Sequence, residues 1–239
     1  MLKRVLFLIL VFAVRLEAQD AAAILHSVDG YRNPLDGFVL DVMLTSFHDE
    51  EKETSGFRVF GQGSDKSLVE FRSPASERGK YLLMLRDDLW IYMPNTSRPI
   101  RISPLQRLMG EASNGDVART NFSVDYTAQL AGEESVDGRA AYILELAARD
   151  VDIAYKRVRL WVGKRDREPI KAEFYVASGK LVKRVRYQEF GNFTAGRVVT
   201  RMEIQDAIRP GRRTVMEYSN LQPKALPDKM FNKNYLGKW

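Results

Sequence analysis

Residues 156–190, KRVRLWVGKRDREPIKAEFYVASGKLVKRVRYQEF, contain the pattern that decides the fold. Three stretches rich in β-branched and aromatic residues are separated by turn signals at 167–169 and 178–179, a spacing typical of antiparallel strands. Side chains alternate within the stretches: Val158, Leu160 and Val162 oppose Arg157, Arg159 and Trp161, and Leu181, Val185 and Tyr187 oppose Val182, Arg184 and Arg186. Each strand is therefore predicted to have one apolar and one solvated face.

Strand candidates of this kind recur along the chain. They are residues 38–47, 56–63, 67–73, 80–87, 88–94 and 98–103, followed by 140–148, 156–164, 170–177, 180–190, 197–205 and 213–221. Hairpin-length turns separate most of them, and no linker or repeat of fixed period divides the chain. We predict a mainly β domain in which a single antiparallel sheet of about 11 strands curls around its own interior.

The N-terminus has the pattern of a secretory signal peptide. Lys3 and Arg4 precede the apolar run VLFLILVFAV (5–14), and the small residue Ala18 follows. The run is shorter than the roughly 20 apolar residues that a membrane-spanning helix needs. We predict cleavage after residue 18 and export of a mature domain, residues 19–239. An uncleaved N-terminal anchor is the alternative.

Composition excludes several classes of site. The sequence contains no cysteine, so a disulfide, a Cys-ligated zinc site, a Cys nucleophile and a lipid-modified cysteine are all ruled out within it. The formal net charge of +6 falls to +4 without residues 1–18, which hold three basic and one acidic residue. Basic and acidic residues are interspersed, which does not favour a nucleic-acid partner.

Two segments depart from the strand pattern. DAAAILHSVDGY (20–31) is predicted to be an amphipathic helix with Asp20 as its N-cap. Residues 82–85 are apolar on both faces of their strand, and we expect this helix to cover them from outside. The segment 104–129 has no clean period, and such a long interruption is typically functional or disordered. We predict a pair of short helices there, lying across the open edge of the sheet.

The sequence shows no arrangement suited to catalysis. The two histidines, His26 and His48, lie on the predicted helix and at a strand end, which does not favour a metal cluster or a Ser-His-Asp triad. Asp87 and Asp88 are adjacent, so their side chains point apart rather than forming a carboxylate pair. We expect no enzymatic activity, no cofactor and no metal.

Residues 81–150 resemble the LolA-like family of outer-membrane lipoprotein-sorting proteins, which are periplasmic lipoprotein or lipid carriers. The shared features are a Trp-x-Tyr-x-Pro strand, an Arg-x-x-Arg-Ile-Ser segment and a Met-Gly lid. Here they are Trp90, Tyr92, Pro94, Arg98, Arg101, Ile102, Ser103, Met109 and Gly110, and residues 132–144 also fit the family pattern.

The resemblance implies an open, incomplete β-barrel with an N-terminal helix and a helical lid over its apolar concave face. It also implies a periplasmic location, lipoprotein or lipid cargo, and loading by an inner-membrane transporter of the ABC or RND/MMPL type. Encounters with the membrane surface would be transient. We expect the protein to act as a monomer.

The predicted ligand-binding residues form an apolar groove and its lid. They are Phe38, Leu40, Val42, Leu44, Trp90, Tyr92, Leu105, Leu108, Met109 and Phe122. Flexible Met and Leu side chains can repack when a lid opens. Arg98, Arg101 and Arg107 are candidate contacts to a head group or a partner, because their forked donors match phosphate oxygens. The alternatives are an immobile cap on an ordinary core, cross-strand packing for Trp90 and Tyr92, and solvated arginines.

The predicted function is a carrier that shields the acyl chains of lipoproteins or lipids between the inner and outer membranes. The alternative is an accessory module that docks on an envelope transporter and carries nothing. A weaker third possibility, a lipid hydrolase, would need a serine or carboxylate with a base nearby. A dry cavity continuous under the lid would favour the carrier, whereas a filled core would favour the accessory module.

Overall fold

In the computed structural model the described residues are 20–33, 35–86, 88–96, 98–118, 121–151, 153–209 and 211–236, without the side chain of Arg107. The predicted signal peptide lies outside them. One 13-stranded sheet dominates the fold. In spatial order its strands are β6 (Ile100–Ile102), β5 (Asp88–Tyr92), β4 (Tyr81–Leu85), β3 (Lys66–Ser73), β2 (Glu51–Gln62), β1 (Gly37–His48), β15 (Arg213–Pro223), β14 (Gly196–Asp206), β13 (Leu181–Phe193), β12 (Pro169–Tyr175), β11 (Arg157–Gly163), β10 (Arg139–Ala148) and β9 (Tyr126–Val136).

Neighbouring strands in this sheet are antiparallel throughout. The two halves of the chain join where β1 pairs with β15, with Leu44 opposite Met216. β6 and β9 are the two edge strands, and among the described residues they do not pair with each other. The sheet is therefore curled but not closed, which confirms the predicted open, LolA-like fold class.

The predicted sheet of about 11 strands has 13 strands among the described residues, and two further short strands lie outside it. The longest omission is β9, an 11-residue edge strand with mostly exposed or half-exposed residues and a polar run at 132–135. The other omissions are β7 (Arg107–Met109) and β8 (Ala112–Ser113), which form a separate two-stranded hairpin. The strands were predicted from alternating apolar and polar residues, and this alternation is weak in these three elements.

Alternation places a large apolar core on the concave face of the sheet. Val158, Leu160 and Val162 of β11 all lie in this inner core, while Trp161 packs in a separate cluster on the opposite face, as predicted. Because successive strand residues point to opposite faces, every strand contributes to the interior through alternate positions. The interior is thus the main place where this fold can enclose anything.

The N-terminal helix, α1 (residues 20–32), packs inside rather than outside. Its apolar stripe of Ala21, Ile24, Leu25 and Val28 belongs to the inner core. The outer face around Leu83 is instead covered by the C-terminal segment 224–236, through Leu226, Phe231 and Leu236. The expectation that α1 covers residues 82–85 from outside is therefore wrong, because a segment distant in sequence supplies the cover.

Short helices complete the structure. α2 (Asn114–Ala118) and α3 (Phe122–Asp125) fall in the predicted irregular segment, and 3₁₀ helices occupy Ala75–Glu77, Asp228–Phe231 and Lys233–Tyr235. α2 packs on the inner face against β3 and β4, where the Ser67 hydroxyl donates to the Ala118 carbonyl at 2.7 Å. The two predicted helices are present, but α2 lies over the sheet rather than across its edge. In the part of the chain that the structure describes, no helix has the length and apolarity needed to cross a membrane.

Candidate ligand-binding interior

The inner wall of the candidate site begins on β1. Phe38, Leu40, Val42 and Leu44 alternate along this strand and are all buried in the inner core, with Leu44 completely inaccessible. Their spacing of two residues places all four on one face of the strand. The structure therefore brings these four predicted groove residues together on the concave side.

The segment between β6 and β9 forms a roof over this wall. Met109 and Phe122 are buried in the inner core, and Leu108 is half-buried against it. Leu105 differs, because it is 43% exposed and contributes no packing to the interior. Three of the four predicted lid residues thus contact the core, and the prediction that Leu105 plugs it is not supported by its position.

Gly110 fixes the turn between β7 and β8. Its φ is +53°, which is a left-handed conformation that favours glycine. A Cβ at this position would also lie 2.3 Å from the hydroxyl oxygens of Ser46 and Thr214. The Thr214 hydroxyl accepts a 2.7 Å hydrogen bond from the Glu111 amide. The Met-Gly sequence therefore lets the hairpin seat closely on β1 and β15.

Three cavities lie along the inner wall, and residues of the roof line two of them. The two smaller have volumes of about 30 Å³ each, and the third has a volume of about 70 Å³. All three are therefore small. Arg32, the last residue of α1, lines all three, so they meet around its side chain.

A buried ion pair joins the roof to the sheet. Lys183 on β13 contacts the carboxylate of Asp116 on α2, and their side chains are only 8% and 12% exposed. The amide and hydroxyl of Ser113 donate to the same carboxylate at 2.7 and 2.8 Å. Burial lowers the pKa of Lys183, but Asp116 and Tyr155 outweigh burial and raise it above its usual value. The lysine is therefore charged at neutral pH.

Arg32, Asp116 and Lys183 are not among the residues predicted from the sequence. For Lys183 a signal existed, because it lies in phase with Val185 and Tyr187 on β13, both of which are buried. For Arg32 the signal was its helical spacing, since it follows the buried Val28 by four positions.

Arg98 and Arg101 lie at the surface, away from these cavities. Arg98 is exposed, and Arg101, 62% exposed, pairs with Asp88 on the neighbouring strand. Arg107 belongs to β7, and its side chain is outside the described atoms. The role of the three arginines in head-group or partner contacts stays a prediction.

Trp90 and Tyr92 face the outer surface. On β5, Leu89 and Ile91 point into the inner core, whereas Trp90 and Tyr92 pack with the cluster under the C-terminal segment. Lys233 lies 4.4 Å from the ring centroid of Trp90 and completes this outer packing. Their predicted place in the groove is corrected, because alternation assigns them to the opposite face.

The interior offers apolar surface and a few groups that can form hydrogen bonds. Among the described residues no group of three or more His, Cys, Asp or Glu side chains is placed to hold a metal ion. What the geometry can do is bind: an apolar wall, a roof of short elements, and a few convergent polar groups are the features of a small-molecule site.

Comparison with known proteins relates most of the chain to one superfamily. A family model described as "-like: Uncharacterized protein" matches residues 63–238. A search of curated proteins gave no significant match. A solved LolA superfamily protein from Nitrosomonas europaea is 41% identical, with a TM-score of 0.85, over 90% of this chain and 99% of that protein.

Two more distant structures share the architecture. A DUF1329 family protein from Desulfovibrio piger is 25% identical, with a TM-score of 0.79, and the match covers 92% of this chain and 99% of that one. A domain named for outer membrane lipoprotein sorting, from Vibrio parahaemolyticus, is 21% identical with a TM-score of 0.78 over the same shares. At 41% identity over nearly the full length of its relative, the chain belongs to the LolA superfamily.

Proposed function

We propose that the protein is a periplasmic carrier that shields acyl chains of lipoproteins or lipids in transit between the inner and outer membranes. The observation that carries this proposal is the roofed, apolar inner face of an unclosed sheet, with three cavities meeting around one residue. Shielding is needed because exposing an acyl chain to water costs about 0.8 kcal/mol per CH₂ group.

Loading requires the roof to move. The cavities are small compared with a long acyl chain. The roof is made of short elements: a two-stranded hairpin, the 5-residue α2 and the 4-residue α3. Short elements with few contacts open at lower free energy than the sheet beneath them. In this structure the carrier is closed.

The proposed cycle follows from this arrangement. The chain is exported and its signal peptide is cleaved after residue 18. The mature protein receives cargo from an inner-membrane transporter of the ABC or RND/MMPL type and meets membrane surfaces only transiently. It works as a monomer, without nucleic acid, cofactor or catalysis. The superfamily membership supports a carrier-like fold, and the cargo and transporter belong to the proposal.

A second candidate is a module that docks on an envelope transporter and carries nothing. The small size of the cavities favours it, because a permanently filled core has no space for cargo. Native mass spectrometry with lipid extraction, on mature protein purified from its own periplasm without detergent, separates the two. A stoichiometric acylated adduct supports the carrier. A bare mass that persists after incubation with labelled lipids and a triacylated peptide supports the docking module.

A matched pair of variants tests the roof itself. Leu108→Asp places a charge on a half-buried roof residue, and we expect it to lower cargo retention several-fold by disfavouring the closed roof. Leu105→Asp is the control, because Leu105 is already exposed and should retain cargo normally. The roof assignment fails if the extracted lipid per protein is the same in wild type and Leu108→Asp.

A further inference from the structure

One of the smaller cavities contains polar groups that lack strong partners. Arg32, Asn33, Tyr187 and Tyr218 converge on it, while the rest of its wall is mainly apolar and includes Phe38, Leu40, Val198 and Met202. Few, convergent polar groups in an apolar pocket are the features that orient a bound small molecule. These four groups determine which chemical class of ligand the cavity can bind.

Arg32 supplies an available positive charge. Its guanidinium carbon lies 4.2 Å from the ring centroid of Phe122, and among the described residues no carboxylate oxygen lies within 4.0 Å of it. The nearby carboxylates are engaged elsewhere. Asp29 accepts from the amides of Phe122 at 2.6 Å and Ser123 at 2.7 Å, and Asp116 is paired with Lys183.

The other three groups have hydrogen-bonding capacity to spare. The side-chain oxygen of Asn33 is buried and accepts no hydrogen bond from the described residues. The hydroxyl of Tyr218 donates to the Met216 sulfur at 2.7 Å, which is a weak acceptor, and that of Tyr187 makes no hydrogen bond with the described residues. Buried polar atoms left in this state are uncommon in folded proteins and need an explanation.

Both phenols are donors at neutral pH. Burial raises the pKa of Tyr187 and of Tyr218, and the positive charge of Arg32 opposes that rise in both cases. The raised values keep the hydroxyl protons in place throughout the physiological range. Arg32 therefore acts electrostatically on both rings, and the negative charge of Asp116 acts on both in the opposite sense.

We propose that this cavity binds the anionic head group of an acyl lipid, a carboxylate or a phosphate, with Arg32 as its charge partner. The proposal rests on the carrier function above and specifies its cargo as an anionic lipid. The guanidinium fork matches the oxygens of either group, and the phenols of Tyr187 and Tyr218 add donors. The acyl chain would continue along the inner wall at Phe38 and Leu40. The acylated cysteine of a lipoprotein has no such charge and would use only the wall.

The test compares charged and neutral forms of one lipid. Delipidated protein is titrated at pH 8 with oleic acid and with methyl oleate, each competing against a fluorescent fatty acid. We expect wild type to bind the acid about 10- to 100-fold more tightly, the range for a charge-assisted hydrogen bond. Arg32→Met should remove this preference while leaving methyl oleate affinity unchanged, and Arg32→Lys should restore part of it. Arg186→Met, at a position 52% exposed on the outer face, is the matched control and should bind as wild type does.

Each outcome has a distinct meaning. Equal affinity of wild type for acid and ester refutes the anionic site while leaving the carrier function intact, whereas no binding of either refutes the carrier function as well. If Arg32→Met is unstable, Tyr218→Phe removes one donor alone, and a loss of acid affinity without loss of ester affinity supports the site. Titration with 1-oleoyl lysophosphatidic acid then identifies the source, since tighter binding than oleate indicates a phospholipid and weaker binding indicates a free fatty acid.

Discussion

The buried pair of Lys183 and Asp116 leads to a quantitative prediction about how the roof is held. Lys183→Met removes the cation and leaves the Asp116 carboxylate about nine-tenths buried, with the amide and hydroxyl of Ser113 as its remaining donors among the described residues. Breaking a buried pair from one side costs about 3–5 kcal/mol, because the remaining charge is uncompensated. For a domain of this length that corresponds to a decrease in Tm of roughly 6–20 °C.

The double variant separates lost attraction from an uncompensated charge. Lys183→Met combined with Asp116→Asn contains no buried charge, and the asparagine can still accept from Ser113. Replacing both partners of a buried pair is often close to neutral, so we expect the double variant to recover most of the lost stability. A control comes from the same strand: Arg186 pairs with Asp137 on the outer face, with side chains 52% and 64% exposed, and Arg186→Met should cost less than about 1 kcal/mol.

The assay is urea unfolding followed by tryptophan fluorescence and circular dichroism on mature wild type and these variants. Both signals should give coincident transitions, and the free energies should follow the order wild type and Arg186→Met above the double variant, with Lys183→Met the least stable. A double variant as unstable as Lys183→Met would refute the reasoning, because the cost would then come from lost contacts of the lysine rather than from a buried charge. A single variant as stable as wild type would show that the pair is solvated.

Three further predictions follow from the same structure. Gly110→Ala should destabilise the β7–β8 hairpin by about 1–3 kcal/mol, because it combines a left-handed φ with a steric clash; hydrogen exchange confined to the roof would verify it, and unchanged exchange would contradict it. Phe231→Ala should lower the free energy of unfolding by about 3–5 kcal/mol by opening the outer cluster over Leu83, whereas Tyr235→Ala, at a position 52% exposed, should not. The folded-state pKa of Lys183 is raised, so its contribution to stability is complete below its ordinary value of 10.5 and is lost as pH rises through the folded value; wild type should lose more stability than Lys183→Met in unfolding titrations from pH 9 to 12.

The sequence was most informative where a strand has one buried and one wet face. On β1 the four residues from Phe38 to Leu44 occupy alternate positions, and the structure buries each of them on the inner wall. β9 lacks this contrast, because most of its residues on both faces are exposed or half-exposed, so its sequence shows no apolar face. Periodicity therefore predicts the centre of the sheet well and its edges poorly.

The assignment of faces failed where both sides of a strand are apolar. Trp90 and Tyr92 alternate with Leu89 and Ile91, so the sequence separates the two pairs but does not say which pair faces inward. The answer depends on Phe231 and its neighbours, more than a hundred residues away, which cover the outer side. Contacts of this kind are non-local, and no local pattern contains them.

Charged residues in the interior were the harder omission. From sequence alone, lysine and arginine are expected at the surface, because they are almost never fully buried without a partner. Lys183 satisfies that condition through Asp116, which is brought to it from a roof helix 67 positions away in sequence. Only the fold reveals this partner, although the phase of Lys183 with Val185 already indicated an inward direction.

The two interior cations therefore have separable roles. Lys183 is neutralised by a residue of the roof, so changing it alters the stability of the closed form, and its charge is not available to a ligand. Arg32 stands where three cavities meet without a carboxylate among the described residues within ion-pairing distance, so changing it removes little electrostatic stabilisation from the protein itself. The two cations thus differ in their counter-ions: Lys183 has Asp116, whereas Arg32 has no carboxylate among the described residues within ion-pairing distance. Replacing Lys183 should lower stability without changing the preference for a charged head group. Replacing Arg32 should remove that preference without lowering stability.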